Sequence, residues 1–395
     1  MPITSVRSGL DERADLFPAE LLPLFDSRFI VSWDLFEEYI ARLALQIFQS
    51  IGLDRPFEDE ASVRELVTRA QLDPLAAPIP VAWILSILAA RGWIRTQKSG
   101  ADEIRYRADA RLPELDPNEI LVAQQAHDAS CLPSYSIAAL AAAQYPAVLR
   151  GQISGEQALF GPEGISAWVK YFANTNPLYA ISNAVGAIAA QRALAGFPGA
   201  ILELGGGLGS GAQAILDRLA PSGPAKDISR YHFTEISALF LKRSERTLSS
   251  SKARCEFVFS RLNIDRPFAE SDVAPETYAL VYGVNVLHVA ADLEATLHEI
   301  RQCLRPGGSL VVAECVRPFP NTPLHLELVF NLLASFRDPV LVPKWRPNGG
   351  FLTTDQWQAA FAANGFDDVR CYPDIANIRD SYPSFSIAAI TGKRM

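Results

Sequence analysis

The sequence predicts an α/β architecture: a parallel sheet covered by helices on both faces, behind a mainly helical first half. Three observations carry this. From Ala200 onward, short runs rich in β-branched and aromatic residues alternate with stretches of helical periodicity. Between Glu119 and about Gly196 the spacing is mostly helical, as in "SIAALAAAQYPAVLRG" and "GISAWVKYFANTNPLYAISNAVGAIAAQRAL". The residues before Leu115 read as three helices and two short alternating strands.

Each element has a local reason. "FIVSWDLFEEYIARLALQIFQSI", Phe29 to Ile51, repeats apolar residues at helical spacing and stops at Gly52. Ser62-Val63-Arg64-Glu65 is a capping box opening a short helix to Leu72. "IPVAWILSILAARGWIRTQ" is a buried helix halted at Gly92 and followed by a strand, and "KSGAD", Lys98 to Asp102, turns into a second strand, "EIRYRAD". Three helices and a two-stranded wing make a winged-helix-like pattern, which can read DNA or act as a docking or dimerisation scaffold. Through Leu115 there are 13 Lys and Arg against 18 Asp and Glu, a balance of −5. A groove reader needs a basic face, so the scaffold is expected.

"LPELDPNE", Leu112 to Glu119, has the composition of a linker. A chain of 395 residues exceeds one ordinary core. The expected division is 1–115 for the winged-helix-like scaffold, 116–196 for a helical linker and lid, and 197–395 for the alternating α/β domain. In that last domain "AILEL", "YHFTEI", "CEFVFSRL", "TYALVYGV" and "SLVVAECV" read as five strands. "SGAQAILDRLA", "ALFLKRSERTL" and "DLEATLHEIRQCL" read as helices between them, and "RPGG" as the turn into the fifth strand.

Composition narrows the function classes. With 49% hydrophobic and 20% charged residues the chain is globular, and a net charge of −8 argues against nucleic-acid or anionic-membrane partners. The cysteines Cys131, Cys255, Cys303, Cys315 and Cys371 never form a CxxC pair, which suits a reducing compartment without a disulfide framework or zinc site. Acidic residues populate the first 25 positions and no run reaches membrane-spanning length. A cytoplasmic, soluble protein is expected.

"ILELGGGLGSG", Ile201 to Gly211, sets Glu203 two residues ahead of a run with five glycines in seven positions. Glycines at a strand-to-helix turn let backbone amides approach a ligand, and nicotinamide and flavin enzymes share the device. The discriminating feature is the acid in Glu203-x-Gly205-x-Gly207-x-Gly209. It would repel a pyrophosphate and welcome a cationic amino-acid cofactor. The second strand ends in "FTEIS", where Glu235 can accept from both hydroxyls of a ribose, and the third in "RLNID", where Asn263 can read an adenine. Acid and glycines, then acid, then amide at successive strand ends fit S-adenosylmethionine (SAM).

"LELGGGLGSG", "YHFTEIS", "YALVYGVNVLHVAADLEATLHEIRQCLRPGGSLVVAE" and "FAANGF" together resemble class I SAM-dependent methyltransferases, over about Tyr145 to Lys393. The resemblance implies a Rossmann-like domain and brings Leu262 and Asn285 into the cofactor site. "YPAVLRGQISGEQALFGPEG", "YHFTEIS" and "RLNIDRP" are similar to polyketide synthase C-methyltransferase domains, although Asn263 stands where that branch usually has Asp. The winged-helix-like start, "GGGLG" and "VVAECVRP" are similar to small-molecule O-methyltransferases, which use such a start to form homodimers. No acyl-carrier or ketosynthase module is recognisable, so a free-standing enzyme of specialised metabolism is expected.

Methyl transfer from SAM needs an aligned acceptor and a base for the acceptor's proton. "NVLHV" puts His288 just past the fourth strand and Glu314 closes the fifth, 26 residues later. A carboxylate on one imidazole nitrogen fixes the tautomer and tolerates the cation, and both resembled branches use such a His as base. The O-methyltransferase branch usually adds a second acid, at the position where this chain has Leu352 in "NGGFLTTDQW".

Tyr171, Phe172, Asn174 and Asn176 in "KYFANTNP", His325 in "PLHLELVFNLL", and Trp345 and Trp357 near the last insertion are candidates for shaping the acceptor pocket. His127, His232, His298 and His325 show no metal-ligand spacing, so no metal is expected. The acceptor is expected to be a small molecule, free or held on a carrier protein, with oxygen favoured slightly over an activated carbon. Two other readings stay open: a non-catalytic SAM-binding or winged-helix regulator, and a nicotinamide-dependent oxidoreductase.

Overall fold

The computed structural model describes residues 16–53, 60–99, 103–219, 228–249 and 255–395. Helix α1 (Ser27–Ser50) begins where Asp26 accepts from the Phe29 amide at 2.8 Å, and the chain leaves it through Gly52 at φ +84°. Strand β1 (Ala61–Ser62) leads into α2 (Val63–Arg69), whose capping box pairs Ser62 with Glu65 in both directions. Helix α3 (Pro78–Ala90) follows. Strands β2 (Arg95–Ser99) and β3 (Glu103–Arg107) then pair antiparallel, and β3 also pairs with β1. The expected turn at 100–102 lies outside the described residues.

Five helices follow: α4 (Pro117–His127), α5 (Leu132–Leu149), α6 (Gly155–Phe160), α7 (Pro162–Tyr171) and α8 (Pro177–Leu194). Helix α8 packs against the sheet that comes after it, which accounts for its apolar residues all round. That sheet is built from β4 (Gly199–Leu204), β5 (Ile228–Thr234), β6 (Glu256–Ser260), β7 (Tyr278–Val284) and β8 (Leu304–Cys315). Helices α9 (Ser210–Leu219), α10 (Ala238–Ser249) and α11 (Leu293–Cys303) connect them. With two later strands, β9 (Phe366–Tyr372) and β10 (Ile387–Arg394), the spatial order is β6-β5-β4-β7-β8-β10-β9.

The sheet is not wholly parallel. Strands β6, β5, β4, β7 and β8 run parallel, but β10 (Ile387–Arg394) inserts antiparallel between β8 and β9 (Phe366–Tyr372). Such an edge is decided by pairing between distant segments, which local periodicity does not encode. "RPGG" differs too. It lies within β8, where the pairing with β7 shifts from Tyr278↔Leu304 to Leu280↔Ser309. A Cβ on Gly308 would come within 3.0 Å of the Tyr278 carbonyl oxygen, so this irregularity needs glycine.

The first segment grips the last. Trp33 donates from Nε1 to the Ser384 carbonyl at 3.0 Å, and Trp83 does the same to Leu324 at 2.9 Å. Phe17 and Phe25 pack against Phe385. No helix among the described residues is long and apolar enough to cross a membrane.

Candidate active site

The parallel strands end on one side of the sheet, and the candidate residues stand at those ends. After β4 the chain turns through Gly205, Gly207 and Gly209 at φ +57°, +56° and +82°. A Cβ at Gly205 would lie 2.4 Å from Val286 Cγ2, whereas the same position at Gly207 faces nothing within 4 Å. The turn is closely packed at Gly205 and open beside Gly207. The Gly207 amide donates to Glu235 Oε2 at 3.0 Å, and Ser237 donates to Glu235 Oε1 at 2.8 Å. Glu235 lies one residue past β5. Burial raises its pKa while those amides and that of Ile236 oppose the shift.

Glu203 is buried and accepts from the Tyr231 hydroxyl at 2.9 Å. Burial, the largest cause, pushes its pKa up to about 8. Glu235 adds to the rise, and the Tyr231 hydroxyl and Ala212 amide work against it. Leu262 is buried beyond β6. Asn263 Oδ1 accepts from the Asp265 amide at 3.0 Å, and Asp265 in turn accepts from the Ala291 amide at 2.8 Å. The turn after β6 is thereby tied to the segment that follows β7.

That segment carries the imidazole. Asn285, at φ +50°, accepts on Oδ1 from the Cys315 amide at 3.0 Å and links the ends of β7 and β8. Glu314 Oε1 accepts from the amides of Val286 and Leu287 at 3.1 and 2.8 Å, and its Oε2 faces His288 Nδ1 at 2.7 Å. Both side chains are fully buried. An ionised carboxylate only accepts, so Nδ1 carries the proton and Nε2 keeps its lone pair. Nε2 has no partner among the described residues. Phe351, Phe330 and Phe336 surround the ring at centroid distances of 4.6, 5.6 and 5.9 Å.

Arg346 completes this arrangement. It is fully buried and donates to the carbonyls of His288 and Ala290 at 2.9 and 2.8 Å. Burial pulls its pKa down to about 10, against the opposing pull of Asp265, Asp292 and Glu314. The sequence reading missed Arg346 and all three phenylalanines. They come from the segment between β8 and the next long helix, and no local pattern there separates a wall of the site from ordinary core.

The acceptor-pocket candidates divide. Tyr171 and Phe172 pack with Trp168 and Tyr179 in one aromatic cluster. Asn176 is buried, and its amide group is used up: Nδ2 donates to Ser134 Oγ at 3.0 Å and to the Tyr171 carbonyl at 2.9 Å, and Oδ1 accepts from Ser134. It is committed to holding the start of α8. His325 is wedged between Trp33 and Phe36 at 5.1 and 5.4 Å, and burial pushes its pKa down to about 3. It belongs to the contact between α1 and the later segment. Trp345 and Trp357 are buried, as is Leu352, whose carbonyl accepts from the Arg317 amide. Nearby, Glu327 pairs with Arg317.

The methyltransferase domain family matches residues 202–310, from β4 into β8. That match places a methyltransferase-like domain at residues 202–310. It is 31% identical over 189 residues to a hybrid PKS-NRPS synthetase of Macrophomina phaseolina, covering 48% of this chain and 4% of that protein. It is 34% identical over 170 residues to a highly reducing polyketide synthase of Aspergillus carbonarius, covering 40% and 6%. The chain thus spans less than a tenth of the length of the curated relatives it matches. Among solved structures, the CurJ carbon methyltransferase aligns at TM-score 0.75 and 20% identity over 95% of each chain. The DszA carbon methyltransferase aligns at 0.74 and 22%, over 98% of this chain and 96% of that one. The fold is therefore shared from the helical start to the last strand.

Proposed function

We propose that this protein methylates an activated carbon of a polyketide-type intermediate, with SAM as methyl donor, His288 as general base and Glu314 as its orienting partner. The observation that carries this is the His288 ring itself: buried, fixed at Nδ1 by Glu314, bare at Nε2, and walled by three phenylalanines. The donor set fits SAM. Glu203 is a buried acid that a cation would ionise, Glu235 and Asn263 stand at the next two strand ends, and the space over Gly207 is open.

When bound, SAM supplies a methyl group already electrophilic enough to need no activation. The chain's part is to bind, align and deprotonate. His288 Nε2 takes the acceptor's proton, and Glu314 stabilises the resulting imidazolium through Nδ1. Arg346 holds the His288 carbonyl and keeps the turn in place. The phenylalanines exclude water and line an apolar berth for the acceptor.

Carbon is chosen over the oxygen favoured by the sequence reading for two reasons. The site of the second acid is filled by buried Leu352, and Glu327 is engaged by Arg317. The alignment with the carbon methyltransferases also extends over nearly the whole chain. The relatives are polyketide synthases, which supports an acceptor presented as a thioester on a carrier protein. We infer that residues 1–115 act as a scaffold through the Trp33 and Trp83 contacts, and that 116–196 close over the strand ends of 197–395.

The test is to incubate the protein with methyl-labelled SAM and a β-ketoacyl-pantetheine thioester, then locate the label by NMR. A new carbon–methyl bond between the carbonyls is expected. Label on oxygen would overturn the carbon assignment, and no measurable SAM binding would overturn the reading as a whole.

A further inference from the structure

Two asparagines ahead of the first parallel strand form a relay whose direction can be deduced. Asn174, in the loop before α8, donates from Nδ2 to the Ser210 carbonyl at the start of α9, at 2.9 Å. A carbonyl only accepts, so the NH₂ of Asn174 must face it, and Asn174 Oδ1 therefore faces α8. There it accepts from Asn183 Nδ2 at 2.7 Å. This settles the orientation of Asn183 as well: its NH₂ points along the relay and its Oδ1 points the other way. That oxygen is buried, and among the described residues it has no partner. A buried acceptor without a donor costs on the order of 1–3 kcal/mol, a cost that a ligand's donor would remove.

The surroundings indicate which ligand. Tyr179, one turn earlier on α8, lies within electrostatic reach of Glu203, Glu235 and Glu314. Gly186, almost one turn later, sits so close to β7 that its Cβ would be 2.6 Å from the Tyr282 hydroxyl. Tyr282 also flanks Gly211 together with Glu203: a Cβ on Gly211 would lie 2.9 Å from Glu203 Oε1 and 3.5 Å from Tyr282 Cε1. Positions 179, 183 and 186 share one face of the helix. Asn183 therefore stands on the face of α8 that covers Glu203 and the glycine turn, tied through Asn174 to the residue that follows Gly209.

We propose that Asn183 Oδ1 accepts a hydrogen bond from the α-ammonium group of the methyl donor, forming with Glu203 the subsite for the donor's amino-acid end. The inference rests on SAM being that donor. Glu203 supplies the opposing charge and Asn183 a directed neutral acceptor. Because Asn183 is aimed through Ser210, the subsite forms only when the α7–α8 loop is docked on the glycine turn.

The test compares three ligands by calorimetry: SAM, S-adenosylhomocysteine, and methylthioadenosine, which keeps the nucleoside but lacks the amino-acid end. In Asn183→Leu, SAM and S-adenosylhomocysteine should bind roughly 10- to 100-fold more weakly, with methylthioadenosine unchanged. The unchanged ligand also reports that the variant is folded. Should that variant not fold, Asn174→Ala carries the test, because it removes only an exposed side chain and frees the Asn183 amide to turn. It should weaken the first two ligands by a smaller factor and leave the third untouched. Equal weakening of all three, or no weakening of SAM, overturns the proposal. If the wild type bound methylthioadenosine and SAM equally, this inference alone would fall. If it bound neither, the functional reading would fall with it.

Discussion

Replacing Glu314 with Gln is expected to reverse the His288 tautomer without emptying the core. Two backbone amides, those of Val286 and Leu287, point at one carboxylate oxygen, so the Gln side chain must offer its carbonyl oxygen to them. Its NH₂ then falls where the second oxygen was, 2.7 Å from Nδ1. Two donors cannot face each other, so the imidazole proton moves to Nε2 and the base loses its lone pair. General-base assistance is worth about 10²- to 10⁴-fold, and turnover should fall by that range, matching His288→Ala. Glu314→Ala instead strips two buried amides of their acceptor, at about 1–3 kcal/mol each. The Gln variant should therefore melt closer to wild type than the Ala variant does. Single-turnover kinetics with labelled SAM, alongside calorimetric SAM affinity, separate the steps. Affinity should hold while the chemical step slows. Turnover within about threefold of wild type, against the expected loss, would refute the reasoning.

Other outcomes follow from the buried charges. Glu203 has a folded-state pKa raised to about 8, so its protonated form stabilises the ligand-free protein, and that contribution is lost as pH rises through about 8. His232 and His325, lowered to about 4 and 3, act oppositely but only below their ordinary value of 6.5. Between pH 6.5 and 8 the ligand-free protein should lose on the order of 1–2 kcal/mol from this group, and Glu203→Gln should flatten that part of the melting profile. Arg346→Met removes both donors to the carbonyls of His288 and Ala290. It should cost on the order of 3 kcal/mol in denaturant titration and lower kcat, with SAM affinity unchanged.

Much of the architecture is legible along the chain because its causes are local. A capping box, a glycine past a helix end and an alternating strand each act over a few residues, and α1, α2 and the five parallel strands lie where those signals put them. The glycine turn, the acids behind it and the 26-residue interval from His288 to Glu314 are readable for the same reason. Successive strand ends of a parallel sheet fall on one side, so residues far apart in sequence are gathered by a rule that needs no coordinates.

What the sequence by itself determined is therefore the α/β frame and the identity of the groups at its strand ends. Only the tertiary structure decided how those groups are held: the antiparallel insertion of β10, the phenylalanine wall, Arg346 under the His288 turn, and the buried oxygen of Asn183, unpaired among the described residues. Asn176 and His325 show the converse, since polar residues that looked available for an acceptor are consumed by packing. The physical reason is the range of the interactions. Periodicity and caps are set by neighbours a few residues away, whereas burial, hydrogen-bond direction and pKa depend on atoms brought together across 30 to 350 positions of chain.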